Sequence, residues 1–127
     1  MNYLLDTNTI IYYLKAGLPI NAMRAMNKIV DIKPNLSVIT KIELLCFKGT
    51  KLSEEKITKI FVDASTVFWL DEAIVNKTIA LRKLHTIKLP DAIIAATAIV
   101  FNLVLITRNI SDFESIVSLK CTDPIMM

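Results

Sequence analysis

The chain has 127 residues, of which 54% are hydrophobic, and it carries a formal net charge of +3. This length suits a single domain over residues 1–127 and excludes two full domains. The mild positive charge permits nucleic-acid binding but does not by itself indicate it. Two cysteines, Cys46 and Cys121, exclude a disulfide framework and are expected to be reduced core thiols. The high apolar content predicts that a partner covers part of the surface.

Neither export nor membrane insertion is expected. The segment that most resembles a membrane span, residues 92–106, is too short to cross a bilayer and contains Asn102. The first residues lack a basic stretch followed by a cleavable apolar segment. We therefore expect a cytoplasmic protein that does not enter the membrane.

Hydrophobic periodicity and turn residues predict alternating strands and helices. Strands are expected at residues 2–5, 36–39, 67–70, 103–107 and 117–121. Helices are expected between them: one that stops near Gly17, one between Pro19 and Pro34, one capped by Thr40 and ended by Gly49, one starting near Ser53, one from Asp71 or Glu72 to about His85, and one from Asp91 to about Phe101. This alternation implies an α/β fold with a mostly parallel central sheet of about four to five strands and helices on both faces.

Four acidic residues occur where a solvated carboxylate is not expected. Asp6 follows an apolar strand, Glu43 lies in an apolar helical run, Asp91 opens another, and Asp112 precedes Phe113. In parallel sheets the functional crevice lies beyond the carboxyl ends of the strands. Carboxylates that converged there would raise one another's pKa unless a cation neutralised them. The pattern therefore predicts a site for Mg²⁺ or Mn²⁺, which both prefer oxygen ligands.

Each carboxylate also has an ordinary structural explanation. Asp6 can cap the first helix, and Glu43 can form a capping box with Thr40. Asp91 can be first-turn charge at a helix N-terminus, and Asp112 can belong to a loop turn. The prediction of a metal site depends on the four acids occurring together.

Four blocks of sequence together resemble the PIN domain, and in particular the small toxin ribonucleases of the VapC type. The blocks are LLDTNT (4–9), SVITKIEL (37–44), LPDAIIAATA (89–98) and TRNISDF (107–113), and they cover essentially the whole chain in the family's order. In this resemblance Asp6, Glu43 and Asp91 match the three most regular acidic positions. Asp112 matches a fourth position that varies between Asp and Glu.

The resemblance also implies supporting residues and a function. Thr107 matches a small hydroxyl residue beside the acids, Asn8 a polar residue of the first turn, and Asn109 stands where some relatives carry another acid. The implied activity is Mg²⁺- or Mn²⁺-dependent endonucleolytic hydrolysis of RNA that leaves a 5′-phosphate and a 3′-hydroxyl. The implied assembly is a homodimeric toxin held by a cognate antitoxin.

In that chemistry Asp6 and Asp91 are expected to form the core of the metal site. Glu43 would bind metal or orient the attacking water, and Asp112 would hold a water or a second ion. A two-histidine mechanism is excluded because His85 is the only histidine.

RNA affinity requires cations near the site. The candidates are Lys41 and Arg108, which flank acidic positions, and a second patch of Arg82, Lys83 and Lys88, whose alternative interpretation is a solvated helix face.

Several aromatic and methionine residues are expected in the core or against a partner. Trp69 lies in the predicted third strand and is expected to be core. Tyr12, Tyr13, Met23 and Met26 on the first two helices are the expected antitoxin surface or core.

Two other function classes stay open. A non-catalytic scaffold could use the same acidic pocket only to bind an antitoxin or another partner. A phosphotransfer domain is a weaker alternative, since the aspartyl-nucleophile motif of haloacid dehalogenase-like phosphatases requires a second Asp where Asn8 stands. A receiver domain would need an acidic pair after the first strand, which ends in the single Asp6.

Overall fold

The computed structural model describes residues 2–49 and 51–127. Strands and helices alternate along these residues, as expected. The strands are β1 (Tyr3–Leu5), β2 (Asn35–Ser37), β3 (Thr66–Phe68), β4 (Val104–Ile106) and β5 (Cys121–Thr122). The helices are α1 (Thr7–Leu14), α2 (Ile20–Ile32), α3 (Val38–Cys46), α4 (Leu52–Asp63), α5 (Glu72–Leu84), α6 (Leu89–Val100) and α7 (Ile110–Phe113), and a 3₁₀ turn covers Pro124–Met126. The predicted α/β fold is confirmed.

The strands pair in parallel in two groups. One sheet has the order β1-β4-β5 and the other pairs β2 with β3. Leu5 lies opposite Ile106 across the first sheet. The Asn35 side-chain amide donates to the Tyr3 carbonyl at 2.8 Å, which holds β2 beside β1 without a ladder of backbone hydrogen bonds. The strands therefore form a three-stranded and a two-stranded sheet that lie side by side, with the break between β1 and β2.

Apolar side chains fill both faces of this arrangement. Leu4 and Leu105 belong to a cluster with α5 and α6, whereas Leu5 and Ile106 belong to a cluster with α1, α2 and α4. Successive strand residues point to opposite faces, so neighbouring leucines reach different clusters. Each of these four side chains is fully buried. Helices therefore cover the sheet on both faces, as the near-continuous apolar strands indicated.

The start of α3 differs from the prediction. Ser37 rather than Thr40 caps this helix, with its hydroxyl accepting from the backbone N–H of Ile39 at 3.2 Å. The helix ends at Cys46 instead of continuing to Gly49. The predicted Thr40 cap is therefore wrong, and Glu43 lies in the second turn of α3, out of a capping box.

Two predictions of buried residues are also wrong. Trp69 lies beyond the end of β3 and is 63% exposed, with the Lys41 ammonium 5.1 Å from its ring centroid. Cys46 is exposed, while Cys121 is partly buried in β5. The short helix α7 and the C-terminal 3₁₀ turn were not predicted, and the last strand starts at Cys121 rather than at residue 117.

A membrane span does not occur in the described ranges, where no helix combines the necessary length and apolar character.

The two methionines of α2 offer a test of the core. Met26 is fully buried, whereas Met23 is only partly buried. We expect Met26→Ala to lower the free energy of unfolding by about 2–5 kcal/mol, because it removes buried methylenes and leaves a cavity. Met23→Ala, the matched control, should lower it by less. Urea denaturation measures both, and equal small effects would contradict the burial of Met26.

Candidate functional site

The structure brings the four predicted carboxylates to one cavity. This acidic cavity has a volume of about 260 Å³ and lies at the carboxyl ends of β1 and β4. Its lining residues are Asp6, Thr7, Asn8, Glu43, Lys88, Pro90, Asp91, Asn109, Asp112 and Phe113. Positions from both ends of the chain thus meet at the edge where parallel-sheet proteins place their functional crevice.

Asp6 is the most buried of the four carboxylates in the acidic cavity. It is only 6% exposed, and its carboxylate accepts from the Thr7 backbone N–H at 2.9 Å and from the Thr107 hydroxyl at 2.8 Å. The pKa of the Asp6 carboxyl is raised from 3.8 to about 6. Burial is the largest cause, the two hydrogen bonds oppose it, and the neighbouring Asp91 and Glu43 carboxylates add to it. Asp6 also caps α1, so its ordinary structural explanation is confirmed, and its role in a metal site stays a prediction.

Glu43 reaches the acidic cavity from α3 and is positioned by two threonines. The Thr7 hydroxyl lies 2.8 Å from Glu43 Oε1 and 3.0 Å from the Thr40 hydroxyl. A hydroxyl carries one hydrogen, so Thr7 donates to the carboxylate and accepts from Thr40. The sequence reasoning missed both roles. The one sequence signal for these contacts is the spacing of Thr40 and Glu43, three residues apart, which also fits a capping box.

Asp91 and Asp112 form the outer part of the acidic cavity. Asp91 is partly buried in the first turn of α6, and Asp112 is exposed in α7. Burial raises the pKa of the Asp91 carboxyl, the Asp112 and Glu43 carboxylates raise it further, and the nearby Lys88 ammonium lowers it. The Asp112 and Glu43 carboxylates therefore lie close enough to Asp91 to affect its pKa.

The predicted supporting residues also lie at this edge. Thr107 is fully buried and connects two groups, donating to Asp6 and accepting from the Asn109 backbone N–H at 3.0 Å. Asn8 and Asn109 are exposed on the cavity wall.

The predicted RNA-binding cations separate into different environments. Lys88 lines the acidic cavity, and Arg82 joins Lys88 in an adjoining one. The Arg108 Nη1 atom lies 3.6 Å from Asp123 Oδ1. Lys41 stacks on Trp69, and Lys83 is exposed in the last turn of α5.

The donor set of the acidic cavity suits a hydrated divalent cation. None of the ion pairs described for residues 2–49 and 51–127 involves one of its four carboxylates. In the same residues, no three acidic, histidine or cysteine side chains stand close enough to enclose an ion directly. Mg²⁺ keeps several waters and takes one or two direct carboxylates, so a cavity lined by acids that do not enclose the ion directly fits it. Asp6 and Asp91 are the carboxylates that burial makes most in need of a counter-charge.

Residues 3–117 match the PIN domain family, and the chain belongs to that family. No curated protein sequence matches the chain. Among solved structures, it is similar to a toxin–antitoxin complex from Klebsiella pneumoniae, with 31% identity, a TM-score of 0.75 and coverage of 97% of this chain and 98% of that chain. It is also similar to VapBC-1 from nontypeable Haemophilus influenzae, with 26% identity, a TM-score of 0.77 and coverage of 98% and 99%. A third similar structure, DNA-bound VapBC from Salmonella typhimurium, shows 26% identity, a TM-score of 0.78 and 98% coverage of each chain.

The raised pKa of Asp6 makes stability depend on pH when no metal is present. The folded chain binds the Asp6 proton more tightly than the unfolded chain, so ionised Asp6 destabilises the fold. This penalty is absent below pH 3.8, grows as the pH rises and is complete above about pH 6. The difference in pKa corresponds to about 3 kcal/mol at neutral pH. We therefore expect Asp6→Asn to raise the free energy of unfolding in EDTA at about pH 7 and to change it little at about pH 4.

Urea denaturation of both proteins at the two pH values measures this difference. A less stable Asp6→Asn protein at neutral pH would mean that the Asp6 carboxylate is already compensated in the fold.

Proposed function

We propose that this protein is a metal-dependent endoribonuclease and the toxin of a toxin–antitoxin pair. The observation that carries the proposal is the buried Asp6 carboxylate, which shares one open cavity with Glu43, Asp91 and Asp112 and has no ion-pair partner in the described chain. Such a group of acids is costly unless a cation binds there.

Each of the four carboxylates has a proposed role that follows from its position. Asp6 and Asp91 would hold Mg²⁺ or Mn²⁺, which supplies a more acidic bound water and neutralises phosphate charge. Glu43, whose Oε1 the Thr7 hydroxyl fixes, would orient the attacking water and accept its proton. Asp112 at the exposed side would hold a further water or ion. The expected products carry a 5′-phosphate and a 3′-hydroxyl.

A cognate antitoxin is the proposed protein partner. The similar structures from Klebsiella pneumoniae, Haemophilus influenzae and Salmonella typhimurium contain toxin–antitoxin or VapBC assemblies. The chain has an apolar groove between α1, α3 and α4, with Leu14, Leu44 and Phe47 among its lining residues. We propose this groove for an antitoxin segment. The sequence predicted an antitoxin surface or core at residues of the first two helices. Of these residues, Met26 is fully buried and belongs to the core. Hydrogen exchange of the chain with and without a candidate antitoxin tests the groove, which should become protected.

The central prediction concerns RNA cleavage. Purified protein with Mg²⁺ or Mn²⁺ should cleave total RNA, and excess EDTA should abolish the cleavage. Asp6→Asn and Asp91→Asn should each lower the rate by about 100-fold or more, because each removes a carboxylate expected to hold the ion. Asp31→Asn, which changes an exposed carboxylate of α2, is the matched control.

The result also separates an enzyme from a scaffold. EDTA-insensitive cleavage would contradict the metal mechanism. A folded protein that binds an antitoxin but neither cleaves RNA nor binds Mg²⁺ by calorimetry would support the scaffold instead.

A homodimer is proposed from the apolar side chains that α3 and α5 expose, including Ile42, Leu45 and Ile79. Ile79→Glu should therefore convert a dimer to a monomer, because it places a charge in the proposed contact. Ile60→Glu on α4 is the control, since Ile60 is also exposed. Size-exclusion chromatography with light scattering measures the mass, and a monomeric wild-type protein would contradict the dimer.

A further inference from the structure

A second cavity adjoins the acidic cavity. This flanking cavity has a volume of about 490 Å³ and shares Lys88, Asp91 and Asp112 with the acidic cavity. Its other lining residues are Arg82, Thr86, Ile87, Ser111 and Ser115. The shared residues place the two cavities side by side, so a chain molecule bound at the carboxylates lies next to the flanking cavity.

The flanking cavity differs from the acidic cavity in its cations. Arg82 extends from the last turn of α5, and its Nε atom donates to the Ile87 carbonyl at 3.2 Å. This bond holds the guanidinium over the loop between α5 and α6. Neither Arg82 nor Lys88 belongs to an ion pair described for residues 2–49 and 51–127. Both cations are therefore available to an anion from outside the chain.

Small hydroxyl side chains also line the flanking cavity. Thr86, Ser111 and Ser115 are all exposed and line the flanking cavity. Arginine, lysine and serine or threonine hydroxyls are the groups that commonly contact phosphate oxygens of nucleic acids. Arginine offers several donors in a planar fork that matches a phosphate group.

We propose that the flanking cavity binds the RNA phosphate next to the one that is cleaved, with Arg82 as its main contact. This inference rests on the proposed ribonuclease function and adds a substrate position to it. Lys88 stands at the boundary of the two cavities and contacts both phosphates. An acidic protein segment is the less favoured ligand, because the proposed ribonuclease function places an RNA chain, and not a protein segment, at the adjoining carboxylates.

The positions of the two cations predict different kinetic effects. Arg82 lines only the flanking cavity, so its contact is the same in the ground state and in the transition state. Arg82→Gln should therefore raise KM and leave kcat nearly unchanged. Lys88→Gln should lower kcat as well, because Lys88 also faces the reacting phosphate. Arg82→Lys keeps the charge but loses the Nε contact, so KM should lie between the values of wild type and Arg82→Gln.

A salt titration tests the phosphate contact independently of the chemical step. The probe is a mixed-sequence single-stranded RNA oligonucleotide. Its binding to the inactive Glu43→Gln protein, which keeps Asp6 and Asp91 for Mg²⁺, is followed by fluorescence anisotropy at several KCl concentrations. Adding Arg82→Gln or Lys88→Gln should reduce the slope of log affinity against log salt by about 0.7, the value for one phosphate contact to a single strand. Adding Lys56→Gln, an exposed lysine of α4, should leave the slope unchanged.

Each other outcome overturns the inference in a recognisable way. Unchanged slopes for Arg82→Gln and Lys88→Gln, with wild-type cleavage intact, would remove the flanking phosphate and leave the ribonuclease proposal standing. An equal reduction of the slope by Lys56→Gln would show that RNA is attracted by the overall positive charge and not by this cavity. If Arg82→Gln and Lys88→Gln weakened the binding of a polyglutamate peptide as much as that of RNA, the cavity would be assigned to an acidic protein segment. Failure of the wild type to cleave or bind RNA would reject the ribonuclease proposal, and the flanking phosphate with it.

Discussion

The burial of the Asp6 carboxylate is the constraint on which the rest of the site depends. Asp6 follows β1, and the pairing of Leu5 with Ile106 places Thr107 where its hydroxyl can donate to that carboxylate at 2.8 Å. In the described part of the chain, Asp6 thus receives hydrogen bonds but no ion pair. A buried carboxylate with hydrogen bonds alone keeps a raised pKa, as Asp6 does. The apolar sheet around Leu5 creates the enclosure, and under the proposed function a bound cation would supply the missing positive charge.

Two threonines connect the Asp6 side of the cavity to the Glu43 side. Thr7 supplies its backbone N–H to Asp6 and its hydroxyl to Glu43, while Thr40 supports that hydroxyl from α3. The first turn of α1 is thereby bound to α3, although β1 and β2 share no ladder of backbone hydrogen bonds. The position of Glu43 relative to Asp6 consequently depends on side-chain contacts at the division of the sheet. Polar contacts of this kind are costly when half satisfied, so the threonines specify the geometry of the site as well as adding stability.

The sequence predicted the fold and the gathering of the acids because those features follow from chain order. Alternating strands and helices impose a parallel sheet, and residues after its strands must meet at one edge. The ends of individual helices and strands could not be predicted in the same way, because neighbouring residues with similar local preferences compete for these positions. Ser37 and Thr40 are both good N-caps, and burial of Thr40 against Thr7 decides between them. Trp69 continues an apolar run, but β3 pairs only with β2, so the chain leaves the sheet before Trp69 and exposes it.

The distribution of charge explains why a small positive net charge is compatible with an acidic centre. Free carboxylates at Asp91 and Asp112 would repel a phosphate, so under the proposed function the centre of the cavity would accept RNA only with a cation bound. Cations at its margin, such as Lys88, would attract an RNA backbone whether or not the ion is bound. Lys88 also lowers the pKa of Asp91. The same ammonium group therefore favours the ionised form of Asp91. Under the proposed function it would also favour the approach of the RNA polyanion, so one residue would serve both metal binding and RNA binding.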